Sequence, residues 1–262
     1  SLICSDTGFC SGDICGRNNG CYYGSIRKLM YEADILVANH SLLLSEAKVP
    51  GILPEHDSII TDEVHNLVRG GYDQFKVELN HNNVVSLLNS INPNHPRSKR
   101  WNNILESIGD TEPSLKILKE KLKLELEYIK ISFDKFMEQL AINNENQFDI
   151  GKAYQERPII QSLSKEYSSL NKELSSFLDH SQKLLVCFTN LRNFVSKVDA
   201  KKTKYLYLHS VLDKGLENIN ALNDSINLLT TAQDNEWVYW KEGYYNSRKD
   251  IDNQLQVSLH AS

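Results

Sequence analysis

The chain has 262 residues, 40% of them hydrophobic and 24% charged, enough for one large or two ordinary globular domains. A net charge of −5 excludes a uniformly basic nucleic-acid binder, so any DNA contact must use local patches. No apolar run is long enough to span a membrane and no signal peptide is visible, so a cytoplasmic location without a membrane partner is expected.

The chain opens on Ser1-Leu2-Ile3-Cys4 without an initiator Met and reads as a piece of a longer polypeptide. Cys4, Cys10, Cys15 and Cys21 lie within the first 21 residues, with Gly8, Gly12, Gly16 and Gly20 between them. This clustering does not look like a disulfide framework spread over a secreted fold. Thiols in a glycine-rich loop suggest a metal or iron–sulfur site, because the loop can wrap something small. The gaps are wider than the close pairs usual at structural zinc, which only Cys10 and Cys15 approach. An iron–sulfur cluster, zinc, and free or disulfide-bonded thiols all remain open on the residues alone.

Tyr22 to Ala33 is predicted to be a helix, with Ile26, Leu29 and Met30 on one side and Arg27, Lys28 and Glu32 on the other. Ile35 to Ala38 reads as a short buried strand, after which Asn39 can cap a short helix starting near His40. Asn39 and His40 are candidates for a functional contact or for plain capping and first-turn polarity. Pro50, Gly51 and Pro54 make a turn. Ile59 and Ile60 then predict a second short strand, ending in Asp62-Glu63 and followed by His65. Two adjacent acids are not tolerated inside a buried strand, so they belong at its end, where open α/β sheets place their chemistry. Asp62 could hold Mg²⁺, Glu63 could orient a water attacking a γ-phosphate, and His65 could couple that site to another surface. The bland alternative is a polar turn with acids at a helix N-terminus.

Three stretches together, Cys10-x4-Cys15-x5-Cys21-Tyr-Tyr, Ala33-Asp-Ile-Leu-Val-Ala-Asn-His-Ser-Leu-Leu and Leu53-Pro-x4-Ile-Ile-Thr-Asp-Glu-Val-His-Asn-Leu, resemble the iron–sulfur helicases of the DinG/XPD group, DinG-like ones in particular. The Asp-Glu-Val-His stretch is similar to their Walker B, or DEAH, box, with Val64 where Ala is usual. The resemblance covers Cys10 to Leu67. It implies that Cys10, Cys15 and Cys21 ligate a [4Fe–4S] cluster, with the first ligand of that family far upstream and Cys4 open as a substitute. It further implies a bacterial ATP-dependent helicase that moves 5′→3′ on single-stranded DNA, using ATP, Mg²⁺ and further motor domains of the same polypeptide as partners.

Beyond Leu67 the pattern changes. His81 to Ile91 predicts a short helix, and Asn92-Pro-Asn-His-Pro96 a turn. Leu115, Leu118, Leu122, Leu126, Ile129, Phe133, Phe136 and Leu140 predict a long helix with one apolar stripe. A heptad seam runs from Ile160 through Leu163, Tyr167, Leu170, Leu174 and Phe177 to Val195 and Val198, read as one helix or two in line. Cys187 beside it reads as a core thiol. A basic loop, Lys197 to Lys204, leads to a third long helix carrying Leu212, Leu216, Ile219, Leu222, Ile226 and Leu229. Three such stripes cannot be buried singly and predict an antiparallel bundle. From Glu236 the period falls to two, predicting strands around Trp237–Gly243 and Gln254–His260.

The expected fold is mainly α: a long antiparallel helical bundle inserted in a fragment of an α/β motor domain with a parallel sheet. By the resemblance, residues 1–33 are the cluster loop and helix, 34–80 part of the first motor domain, 81–235 a helical arch, and 236–262 strands returning to the motor. Candidate DNA contacts are Asn39 and His40, together with Arg97, Lys99, Arg100 and Trp101, or Lys201, Lys202 and Lys204, since single-strand tracking uses basic grooves and stacking aromatics. Their bland alternative is a solvated charged turn. No G-x-x-x-x-G-K-[ST] occurs, so this chain alone is expected to have no ATPase activity. A non-enzymatic helical adaptor with a zinc-binding loop is the rival reading. A stand-alone nuclease is disfavoured because no further acidic cluster accompanies Asp62 and Glu63.

Overall fold

The computed structural model describes residues 22–144, 148, 158–160, 163–201, 204–245 and 255–262. Two compact units emerge, residues 1–76 with Ser262, and residues 77–261.

Among the described residues the first unit contributes three helices: α1 (Tyr22–Tyr31), α2 (His40–Lys48) and α3 (Val64–Phe75). Asn39 caps α2, its side-chain oxygen accepting the Leu42 N–H at 2.9 Å. Neither α2 nor α3 has a buried residue. The expected strands at Ile35 to Ala38 and at Ile59-Ile60 are not paired among the described residues, and Val37 is 98% and Ile60 99% exposed. β-Branching favours an extended chain, but a strand exists only once a neighbour takes its backbone hydrogen bonds.

The second unit begins with strand β1 (Val77–Leu79) and helix α4 (His81–Ile91). After a 3₁₀ turn at Pro96–Ser98 come α5 (Lys99–Gly109) and the long α6 (Pro113–Ile142), which opens with Pro at its first turn. A four-residue helix α7 (Leu163–Glu166) and a 3₁₀ turn (Ser168–Leu170) lead into α8 (Asn171–Val198). Helix α9 (Leu206–Thr231) and strands β2 (Tyr239–Tyr245) and β3 (Leu255–Ala261) complete the unit. The fold is mainly α, as the apolar stripes predict.

Cross-contacts fix the directions of the long helices. From α6 to α8, Asn143 meets Ser169, Phe133 meets Phe177, and Glu125 meets His180. From α8 to α9, Ser181 meets Asn223 and Arg192 meets Asp213. Rising numbers on one helix meet falling numbers on the next, so both pairs are antiparallel. The heptad positions Leu174, Phe177, Ser181, Leu184, Phe188, Leu191 and Val195 are all buried, as a seam requires. Gly215 of α9 lies close against α8: a Cβ there would stand 2.5 Å from Cε1 and 2.6 Å from Cζ of Phe188.

The seam departs from expectation at its start. Ile160 is not helical. Its N–H bonds the Tyr239 carbonyl at 2.9 Å, while the Lys241 N–H bonds Pro158, so this stretch lies along β2. Spacing of three and four cannot tell a helix from a strand that happens to place an apolar residue in phase.

The sheet of the described residues has the order β1-β3-β2 and is antiparallel throughout, where a parallel fragment was expected. Val77 pairs with Ala261 and Leu79 with Leu259, while Tyr239 pairs with Ala261 and Tyr245 with Leu255. Beneath the sheet lies a polar chain. Lys241, only 2% exposed, donates to the Glu166 carboxylate at 3.2 Å and to the Tyr167 hydroxyl at 2.6 Å. Tyr167 donates in turn to Asn144 at 2.8 Å, and Asn144 to the Leu140 carbonyl at 2.7 Å. Burying an ammonium is tolerable only with such partners.

Candidate functional site

In the first unit two of the singled-out stretches meet. His40 Nε2 stands 3.0 Å from the Asp62 carbonyl oxygen. A carbonyl only accepts, so the bond requires the proton on Nε2. The Asp62 carboxylate in turn accepts the Glu63 N–H at 2.9 Å. With its carbonyl and its side chain both engaged, Asp62 fixes the backbone just before α3.

Glu63 then adopts the left-handed region, φ 48° and ψ 49°, and serves as the N-cap of α3 without a side-chain cap bond. Such a conformation costs a non-glycine residue of order 1–3 kcal/mol and persists only where its surroundings dictate it. The Glu63 carboxylate lies 3.3 Å from His65 Nε2, with both side chains well exposed, so the pair adds little stability. The result is two adjacent carboxylates presented at the first turn of a helix, with a histidine alongside.

The turn that leads to this stretch is held by two residues that the sequence did not single out for a role. Glu46 accepts the N–H groups of Gly51, Ile52 and Leu53 at 2.8, 2.6 and 2.8 Å. These bonds, Gly51 first and then Leu53, hold the Glu46 carboxyl below its usual range. Arg27 donates to the Gly51 carbonyl at 2.6 Å. Gly51 itself has φ 95°, which glycine alone adopts without strain. The only sequence signal was the Pro50-Gly51 dipeptide; nothing local says which carboxylate will reach it.

In the second unit the basic candidates divide. Arg97, Lys99 and Arg100 are exposed around the start of α5, and Lys201 and Lys204 are exposed between α8 and α9. Trp101 is not available as a stacking surface: it is 2% exposed, packed in the core with Leu105 and Ile108. Its position four and seven residues before those two is a helical stripe, a signal that the flanking basic residues mask. The structure joins the two basic stretches, because the Arg100 guanidinium lies over the Tyr207 ring at 4.1 Å. Lys204 sits over Tyr205 at 5.0 Å. The candidate ligands Cys10, Cys15 and Cys21, along with Cys4 and Lys202, lie outside the described residues.

No protein-family model matches the chain. Part of the chain is nonetheless helicase-like in sequence. It is 30% identical over 95 residues to the ATP-dependent DNA helicase YoaA of Escherichia coli (strain K12). That alignment takes in 34% of this chain and 15% of the relative, so the chain spans under a sixth of the protein it matches. No helix among the described residues is long and apolar enough to cross a membrane.

Proposed function

We propose that this chain is the iron–sulfur and arch segment of an ATP-dependent DNA helicase that translocates 5′→3′ on single-stranded DNA. The observation that carries the reading is the backbone at Asp62-Glu63: a strained, non-glycine N-cap held by His40 and by the Asp62 carboxylate, with both acids at the surface. Strain of this kind concentrates at functional positions. The partial likeness to a DNA helicase supports the same reading.

Asp62 and Glu63 offer adjacent carboxylate oxygens, the donors Mg²⁺ prefers. No group of three or more acidic, histidine or cysteine side chains able to hold a metal occurs among the described residues. One or two carboxylates with water and phosphate oxygens suffice for Mg²⁺, so the pair fits that ion as carried by ATP. In this reading Asp62 helps hold Mg²⁺, and Glu63 polarises the water that attacks the γ-phosphate. His65, in contact with Glu63, passes the state of the site to a neighbouring surface. Cys10, Cys15 and Cys21 hold the cluster, and further motor domains of the polypeptide supply the nucleotide-phosphate cradle.

Glu63→Gln in the full-length polypeptide is the test. The amide keeps the size but not the charge, so ATP and DNA binding should persist. The kcat should fall about a hundredfold or more, near 3 kcal/mol of transition-state stabilisation. A helix N-terminal role alone would cost only about 0.3–1 kcal/mol of stability and leave turnover unchanged, and that result would end the reading. For the cluster, Cys15→Ser should lose iron and sulfide on anaerobic purification, while Cys187→Ser retains them. Equal iron in both would remove the ligand assignment.

A further inference from the structure

Helix α6 carries apolar side chains on two faces. One face, with Leu122, Leu126, Ile129, Phe133 and Phe136, is buried in the bundle. The other is an outward row, Ile117, Leu124 and Ile131, repeated every seven residues over about 21 Å of helix. Tyr128 lies four residues after Leu124 and three before Ile131, which is the spacing of a seam between two helices. Each of these four side chains has about half of its surface or more in solvent. The Tyr128 ring is anchored from the side: it stacks on His180 of α8 with centroids 5.4 Å apart, and His180 Nδ1 stands 3.2 Å from the Glu125 carboxylate. A ring already held in place loses little freedom when a partner docks on it.

The flanks of this row carry opposite charges. On an α-helix a residue three positions on lies about 60° to one side, and a residue four positions on about 40° to the other. The first side holds Glu120, Glu127 and Asp134, the second Lys121, Tyr128 and Lys135. Asp134 is already paired with His81 at 3.1 Å, so Glu120 and Glu127 carry most of the negative side. Such a face fits a second copy of itself in one orientation. About a two-fold axis parallel to the helices, the acid side of each copy meets the lysine side of the other, at both edges. Antiparallel pairing would set acid against acid and lysine against lysine, which is repulsive. A nucleic acid would meet the acid side as well as the lysines, and would leave the apolar row unused.

We propose that the outer face of α6, with Ile117, Leu124, Tyr128 and Ile131 at its centre, is a surface on which two copies of this chain pair through parallel α6 helices. The pairing uses neither the Asp62-Glu63 site nor the helicase reading, so it stands or falls separately. Four partly exposed side chains offer a few hundred Å² per copy, less than the roughly 800 Å² per partner of a standard interface, so the dimer is weak and forms in the micromolar range.

The test is sedimentation equilibrium of the present chain from low to several hundred micromolar. The mass should rise from monomer toward dimer and no further, because a two-fold pair is closed. Leu124→Glu places a charge at the centre of the seam and should weaken the dimer about tenfold or more. Its melting temperature should stay near that of the parent, since the side chain is exposed. Val238→Glu, at an exposed apolar position outside α6, should dimerise as the parent does. Glu120→Lys with Glu127→Lys sets lysines against the partner's Lys121 and Lys135 and should weaken the dimer about tenfold. Adding Lys121→Glu with Lys135→Glu makes the flanks complementary again and should restore it. In an antiparallel pair the first reversal would only exchange one like-charge repulsion for another and leave the affinity unchanged. Thermal melts check that each variant is folded. A monomer over the whole concentration range overturns the assignment, as does an equal loss in Val238→Glu and Leu124→Glu, or an affinity indifferent to the charge reversals.

Discussion

The bundle and the acid-pair unit are held in different ways. In the bundle, Leu122, Ile129, Phe133, Phe136, Phe177, Leu184 and Phe188 are completely buried, and the apolar stripes of three long helices consume one another. In the first unit α2 and α3 bury no residue, and order comes from named hydrogen bonds: Asn39 on Leu42, His40 on Asp62, Glu46 on the turn at Gly51. Close packing makes the bundle a self-sufficient body whose shape follows from volume. The acid pair is placed by a few directional contacts, which fix a backbone while leaving the side chains at the surface. In this chain the best-packed region and the residues with candidate chemistry are not the same.

Cutting volume from each unit tests this difference in packing most strongly. Phe133→Ala removes a completely buried ring that contacts Phe177 and His81, and it should cost about 3–5 kcal/mol in urea unfolding of the bundle. Ile60→Ala removes an apolar side chain that is 99% exposed and should change stability by no more than about 0.5 kcal/mol. Comparable losses would mean that Ile60 is packed in solution and that the contrast is false.

Adding volume asks the same question of the contact between α8 and α9 at Gly215. Gly215→Ala places a methyl 2.5 Å from the Phe188 ring, which must then move. Overpacking costs about 1–3 kcal/mol, against roughly 1 kcal/mol returned by the better helix propensity of alanine. A net loss of stability is expected, and Phe188→Leu in the Gly215→Ala background should recover part of it. A stabilised Gly215→Ala would show that α8 and α9 have room to part.

The same contrast decides what the sequence made legible. Helix α4 was readable from His81 to Ile91, and the long helices from their stripes, because apolar periodicity is what the core uses. Strand β1 was not: three residues hold no period, and its pairing with β3 spans most of the unit. Trp101 was misread because a basic run invites a DNA reading, while the helical spacing to Leu105 and Ile108 decides its burial. At the candidate site, residue types and the Asn39 cap were legible. The positive φ of Glu63 was not, since the contact beside it joins His40 to Asp62 across 22 residues.

A smaller effect is expected at the cap. Asn39→Ala removes the acceptor for the Leu42 N–H and should cost about 1 kcal/mol of local stability. Because His40 follows directly, amide exchange near Asp62 and Glu63 should quicken with that of α2. Quickening confined to α2 would show that the cap and the acid pair are uncoupled.

The smallest effect tests the contact that shapes the turn before the acid pair. The Gly51 amide, then those of Leu53 and Ile52, with His56 adding, hold the Glu46 carboxyl below its ordinary 4.5, while partial desolvation opposes them. A carboxyl whose folded pKa is depressed takes up its proton first in the unfolded chain as pH falls. Its contribution to stability is therefore complete above the ordinary carboxylate value, and it is lost as pH drops from there through the lower folded value. NMR should show the amide shifts of Gly51, Ile52 and Leu53 titrating together, with a midpoint below 4.5. Glu46→Gln should abolish that shared titration and leave the turn insensitive to acid over the same window. Since the carboxylate is solvent-screened, the change belongs to the turn rather than to global unfolding. Midpoints at or above 4.5, or three amides titrating separately, would mean that Glu46 does not bridge them in solution.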